Sequence, residues 1–141
     1  MPTTTPHILA LAELLALHLP LPPGRERVDR DRFSALLHHR PDPYRNLVLR
    51  LRIAPGELET TVAEVRALYR ARGTTESTWQ VGPSSTPPDL AAQLVQRRWE
   101  EAVARGTPVL VVQAGGMSRP ILERLGFVEV TRVKMLRDRF G

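Results

Sequence analysis

The sequence has no cysteine and, at Lys134, a single lysine. Without thiols there is no disulfide framework, no thiolate zinc site and no cysteine nucleophile, and a reducing compartment fits. With one lysine, the positive charge rests on arginine, whose planar guanidinium stays charged and pairs with carboxylates and phosphates through a fork of donors. Aromatic residues make up only 5% of the chain. The arginines are interspersed with acids and form no stripe. Single-stranded nucleic acid asks for stacking platforms along a basic track, so nucleic acid is not among the expected partners. No apolar run reaches the roughly 20 residues that a helix needs to cross a bilayer. The most apolar stretch, His7 to Leu19, is interrupted by Glu13, and no Lys or Arg precedes Arg25. It reads as a core or interface helix and not as a targeting or membrane segment, and the expected setting is cytoplasmic.

What is present is a chain of 141 residues with a formal charge of +5. That length suits one domain, and that charge favours phosphate-bearing ligands. Thirteen prolines and nine glycines punctuate it. Thr5 and Pro6 open the first helix, and Pro20 to Gly24 breaks the chain. The spacing of Phe33, Leu36 and Leu37 predicts a second helix over Arg30 to His39, closed by Pro41-Asp42-Pro43. From Asn46 to Ile53, Leu47, Leu49, Leu51 and Ile53 alternate with Val48, Arg50 and Arg52, predicting a strand with one wet face. Glu57 to Arg72 carries Leu58, Val62, Val65 and Leu68 or Tyr69 at helical spacing, acids early and arginines late, with Gly73 at its end. Thr78 to Val81 reads as a short strand. Thr86 as N-cap and Pro87 at the first position predict a helix that continues through Trp99 to Arg105, since no stop signal lies between Leu90 and Ala104.

Beyond Gly106, the unbroken apolar run Val109 to Val112 predicts a strand buried on both faces. A turn at Ala114-Gly115-Gly116 follows. Met117, Ile121, Leu122 and Leu125 then predict a short helix stopped by Gly126. From Phe127 to Leu136 the period switches to two, the mark of a last strand. The expected organisation is residues 1–43 as N-terminal helices and proline-rich linkers, 44–98 as a strand-helix-strand-helix module, and 99–141 as a C-terminal unit. Together they give an α/β fold, a mixed sheet with helices packed on it, preceded by two N-terminal helices.

The run RPILERLGFVEVTRVKMLRD, preceded by a helix and an apolar strand ending in Gln-Ala, resembles the C-terminal part of the GCN5-related N-acetyltransferase (GNAT) family. The resemblance covers Trp99 to Asp138, less than a third of the chain, and the Arg-Leu-Gly-Phe junction at 124–127 is its most specific element. Residues 46–98 are similar to the region that precedes the catalytic core in larger members. The resemblance implies acyl transfer from acetyl-CoA, as co-substrate, to an amine of a small molecule or a protein; a second copy of the chain is a further expected partner. It places Gln113, Ala114, Gly116, Met117, Ser118 and Arg119 along the pantetheine and phosphates. Two departures set the expectation of impaired catalysis and weak cofactor binding. The family commonly has tyrosine, the candidate acid for the departing thiolate, where this chain has Leu122. Its Gly-rich pyrophosphate loop has only an echo, Arg70 to Thr75, which ends a helix instead of opening one. The alternative is a non-catalytic interaction module or remnant of a longer acetyltransferase.

Each remaining candidate has a plainer reading. Backbone donors of the Gly82 to Thr86 loop suit an anion, against simple capping of the next helix. The turn Ala114 to Ser118, with Arg119, suits a phosphate, against a tight turn. His38 and His39, adjacent on the expected helix, point about a hundred degrees apart and do not chelate one ion together. No metal is expected. Ser84, Ser85 and Ser118 show no base and orienter, and Glu57, Glu59, Glu100 and Glu101 read as solvated helix charges, so no catalytic residue is assigned.

Overall fold

The computed structural model describes residues 6–40, 45–110, 116 and 118–131. The chain divides into two compact units, Met1–Ala91 and Ala92–Gly141. The first begins with two short helices, α1 (Pro6–Glu13) and α2 (Leu15–His18). The single helix expected over His7 to Leu19 is interrupted at Leu14, which leaves helical geometry (φ −103, ψ 25). The reason is packing: Leu14 is buried with Leu36 and Leu49, and Ala16, Leu17 and Leu47 close around them.

The next element corrects the sequence reading outright. Arg30 to His39 is no helix. A strand, β1 (Arg25–Asp29), turns at residues 30–33 into β2 (Ser34–His38), in antiparallel register from Arg25↔His38 to Asp29↔Ser34. All five residues of β2 are buried, so no polar alternation betrays a strand. Phe33, Leu36 and Leu37 are apolar because both faces are covered, and over so short a window that is indistinguishable from a helical stripe. β3 (Leu47–Leu49) pairs antiparallel with β2.

The strand expected over Asn46 to Ile53 is real but shorter, and the face expected to be wet is buried at Val48 and partly exposed at Arg50 and Arg52. Val48 and Leu49 are both fully buried. Arg50 ends the ladder with φ +53, after which the Arg52 N–H donates to Arg32 O at 2.7 Å and Arg52 forms an isolated parallel bridge with Thr86. Helix α3 (Leu58–Arg70) crosses to β4 (Thr78–Trp79), which lies parallel to β3. The result is a four-stranded mixed sheet in the order β1-β2-β3-β4 with helices, an α/β arrangement. α3 buries Thr61, Val62, Val65 and Tyr69, one face of a 3.6 period. The Tyr69 hydroxyl reaches Leu36 O at 3.0 Å and Leu47 O at 3.1 Å, pinning the end of the helix to the paired strands. Burial pushes its phenol well above the ordinary range.

α4 (Leu90–Ala104) runs unbroken past Arg97 and Arg98, as the absence of stop signals predicts. Its start differs. The Thr86 N–H donates to Leu51 O at 3.1 Å and Thr86 O accepts the Ile53 N–H at 3.0 Å, so Thr86 forms a bridge with Arg52 and the helix begins only at Leu90.

In the second unit, α5 (Arg119–Arg124) ends where the sequence stops it. Gly126 takes φ +90, its N–H donates to Glu123 O at 3.0 Å, and the Phe127 N–H donates to Leu122 O at 3.0 Å. This two-bond closure needs a left-handed residue, which glycine adopts without strain. The two strands expected here do not form among the described residues. Val109 and Leu110 have no regular structure, and Val109 is 68% exposed; Val111 and Val112 lie outside the described residues. Phe127 to Thr131 also carry no ladder, and the rest of that expected strand lies outside the described residues. A strand exists by sharing its N–H and C=O groups with a neighbour, and period-two patterning supplies none.

Candidate functional site

Of the residues proposed for acetyl-CoA, Gln113, Ala114 and Met117 lie outside the described residues. Gly116 lies in an exposed turn where an added Cβ would meet nothing within 4 Å among the described residues. Ser118 precedes α5 and makes no side-chain cap. Arg119 is committed within its own unit: Nε donates to Glu123 Oε1 at 2.9 Å and Nη2 pairs with Glu129 Oε2 at 2.8 Å. The Glu123 hydrogen bond, then the charges of Glu129 and Glu123, raise its affinity for its proton. A phosphate here would compete with two carboxylates.

The first unit gathers more polar chemistry. A cleft of about 470 Å³ is lined by Arg30, Asp31, Arg32, Arg52, Glu57 and Glu64. The β1–β2 turn supplies the first three, the chain after β3 supplies Arg52, and α3 brings Glu57 from just before its first residue and Glu64 from its middle. Arg32 Nη2 donates to Glu64 Oε2 at 2.8 Å and its Nη1 lies 3.6 Å from Glu57 Oε1, while Arg30 pairs with Glu64 at 3.3 Å. The hydrogen bond that Arg32 donates to Glu64 leads the effects that raise its affinity for its proton. Arg52 differs: Nη1 donates to Leu51 O at 2.8 Å and Nη2 to Ser84 Oγ at 3.2 Å. Among the described residues no carboxylate pairs with it.

Through Ser84, Arg52 joins the cleft to the Gly82 to Thr86 loop. The Ser84 N–H donates to Glu13 Oε2 at 3.1 Å, so a carboxylate from α1 occupies the loop. The Gly82 N–H donates to Ser85 Oγ at 3.1 Å, and the Gln80 amide donates to Glu13 O. Sequence reasoning saw the loop but not its occupant. The available signal was Glu13 itself, one acid inside an otherwise apolar helix.

A third polar cluster was missed altogether. Asn46 is fully buried; its Oδ1 accepts the His38 N–H at 2.7 Å and its Nδ2 donates to Arg40 O at 2.8 Å. His38 Nδ1 accepts the Arg40 N–H at 3.1 Å. His38 and His39 are not splayed as on a helix: their rings stack at 4.4 Å, because β2 ends here and the chain turns. Burial first, then the positive charges of His39, Arg45, Arg40 and Arg25, hold His38 below the usual imidazole range. No family model, curated protein or solved structure matches this chain.

Proposed function

We propose that this chain is an interaction module patterned on the C-terminal part of an acetyl-CoA-dependent N-acyltransferase, and that it self-associates through the stretch after α5. The observation that carries this reading is that Val128 and Val130 are 83% and 92% exposed, in a second unit none of whose described residues is buried. Phe127 is half-buried, Val128 to Thr131 are all exposed, Glu129 pairs with Arg119, and apolar and polar residues alternate along the stretch. This is the patterning of a strand without its partner. Two copies can pair such edges antiparallel about a two-fold axis, each stretch meeting itself. Sedimentation equilibrium at micromolar concentration is the test. The dimer is expected for the natural chain, and a monomer with an unchanged far-ultraviolet spectrum for the Val128→Asp, Val130→Asp double variant. A natural chain that stays monomeric sinks the proposal.

One observation favours the acyltransferase itself as a second reading. Helix α5 is stopped at Gly126 in the Arg-Leu-Gly-Phe junction, a feature the resemblance shares, although no strand follows from Phe127 to Thr131. Against efficient transfer stand Leu122, which donates no proton, and Arg119, already engaged by two carboxylates. Calorimetric titration with acetyl-CoA separates the readings. Binding no tighter than about 0.1 mM, or −5.5 kcal/mol, is expected. Micromolar binding with turnover of any amine would establish the enzyme instead.

A further inference from the structure

Glu13 sits in its loop as a ligand would. Its carboxylate accepts the Ser84 N–H at 3.1 Å, and a Cβ on Gly82 would land on the same carboxylate, so glycine leaves the space that the anion fills. Ser84 Oγ accepts from Arg52 Nη2 at 3.2 Å, which leaves its own hydrogen to give. Arg52 lines the open cleft, has no carboxylate partner among the described residues, and brings a guanidinium to the edge of the loop. The Ser84 N–H and the missing Cβ hold the Glu13 carboxylate, and the Ser84 hydroxyl with the Arg52 guanidinium behind it flanks that position, donors suited to a carboxylate arriving from solvent.

We propose that Gly82, Ser84 and Arg52 form a binding site for a small organic carboxylate, which Glu13 fills in cis. The helix does not depend on this contact to stay docked. The main-chain oxygen of Glu13 is held separately by the Gln80 amide, and Leu14 is buried with Leu36 and Leu49. The Glu13 side chain is only half-buried, so a rotamer change releases the loop and leaves α1 in place. A tethered carboxylate acts at an effective concentration on the order of millimolar, so an external one must exceed that to displace it. The cleft gives the remainder of the ligand a surface of mixed charge, with Arg30, Arg32, Glu57 and Glu64 already paired among themselves.

The test is an amide ¹H–¹⁵N titration of the full chain with sodium acetate, ionic strength held constant with chloride. In Glu13→Ala the Ser84 amide is expected to shift saturably, with an apparent Kd at least about tenfold below that of the natural chain. Adding Gly82→Ala to Glu13→Ala fills the space with a methyl group and abolishes that shift. Arg52→Leu in the Glu13→Ala background weakens it. The proposal is overturned if Ser84 in Glu13→Ala fails to respond, responds as in the natural chain, or responds equally with Gly82→Ala present. Should Glu13→Ala lose its dispersed spectrum, Glu13→Gln, which keeps the shape and removes the charge, is read by the same criteria.

Discussion

Asn46 does more for the first unit than its unremarkable position in the sequence suggests. With no exposure, it joins the main chain at the end of β2 to that of Arg40, and its own carbonyl accepts the Thr78 N–H at 2.8 Å. Asn46→Ala strands the buried His38 N–H and removes the partner of the Arg40 carbonyl, and is expected to cost about 1–3 kcal/mol in urea denaturation; a loss within error would mean that water replaces the amide. His38, next to it, predicts a pH dependence. Its folded-state pKa is depressed, by burial first and then by the cations around it. Below the ordinary value of about 6.5 the unfolded chain therefore takes up the proton first, so stability is untouched above that pH and falls below it. The urea midpoint should be lower at about pH 5.5 than at about pH 7.5, and His38→Asn should flatten the difference. An unchanged slope in that variant would assign it elsewhere.

At the scale of elements, the end of β3 is held against its own backbone. Arg50 adopts φ +53, a left-handed conformation that costs an L-residue roughly 1–2 kcal/mol. Its guanidinium offsets this: Nε donates to Ser34 Oγ at 2.8 Å, and Nη2 donates to Phe33 O at 3.1 Å and to Arg30 O, tying β3 to the turn before β2. Arg50→Ala loses those bonds and keeps the strain, whereas Arg50→Gly loses the bonds and the strain together. Arg50→Gly is expected to be the more stable by about 0.5–1 kcal/mol, glycine's extra freedom in the unfolded chain included. An equal or reversed order in thermal melts would show that the strain is not there. β2 is the element most worth breaking: Leu36, at its centre, packs on Leu14 and Leu49, and Leu36→Ala should cost about 2–5 kcal/mol.

For the whole molecule the two units predict opposite behaviour in hydrogen exchange. The amides of β2 and β3 are paired inside a buried sheet and should open only with global unfolding. Those of Val128 to Thr131 lack a ladder and should exchange near the free-chain rate in dilute solution, slowing as concentration rises if the proposed pairing occurs. Protection of these four amides in a monomer would contradict the exposure described. The legible and the illegible parts follow the same division. α3 was plain because thirteen residues sample more than three turns, long enough for Val62, Val65 and Tyr69 to define a face. β2 was not, because a strand covered on both faces shows no period, and its five residues are too few to tell a buried strand from a helix. At the carboxylate site the Gly82 to Ser85 loop was visible as punctuation. Glu13 and Arg52 were not, since they lie sixty-nine and thirty residues from Gly82 and no local pattern links them.

By itself the sequence determined what short-range physics can determine. It placed α3, α4 and the stop of α5 at Gly126, because helix faces, capping and left-handed glycine act within a few residues. It also kept the chain free of disulfides and put its positive charge on arginine. Only the tertiary structure decided which apolar runs became strands. Ser34 to His38 found two neighbours and entered a sheet, while Val109, Leu110 and Phe127 to Thr131 carry no ladder. A helix satisfies its own backbone; a strand must borrow its hydrogen bonds from another segment, and which segment arrives is fixed by the fold alone.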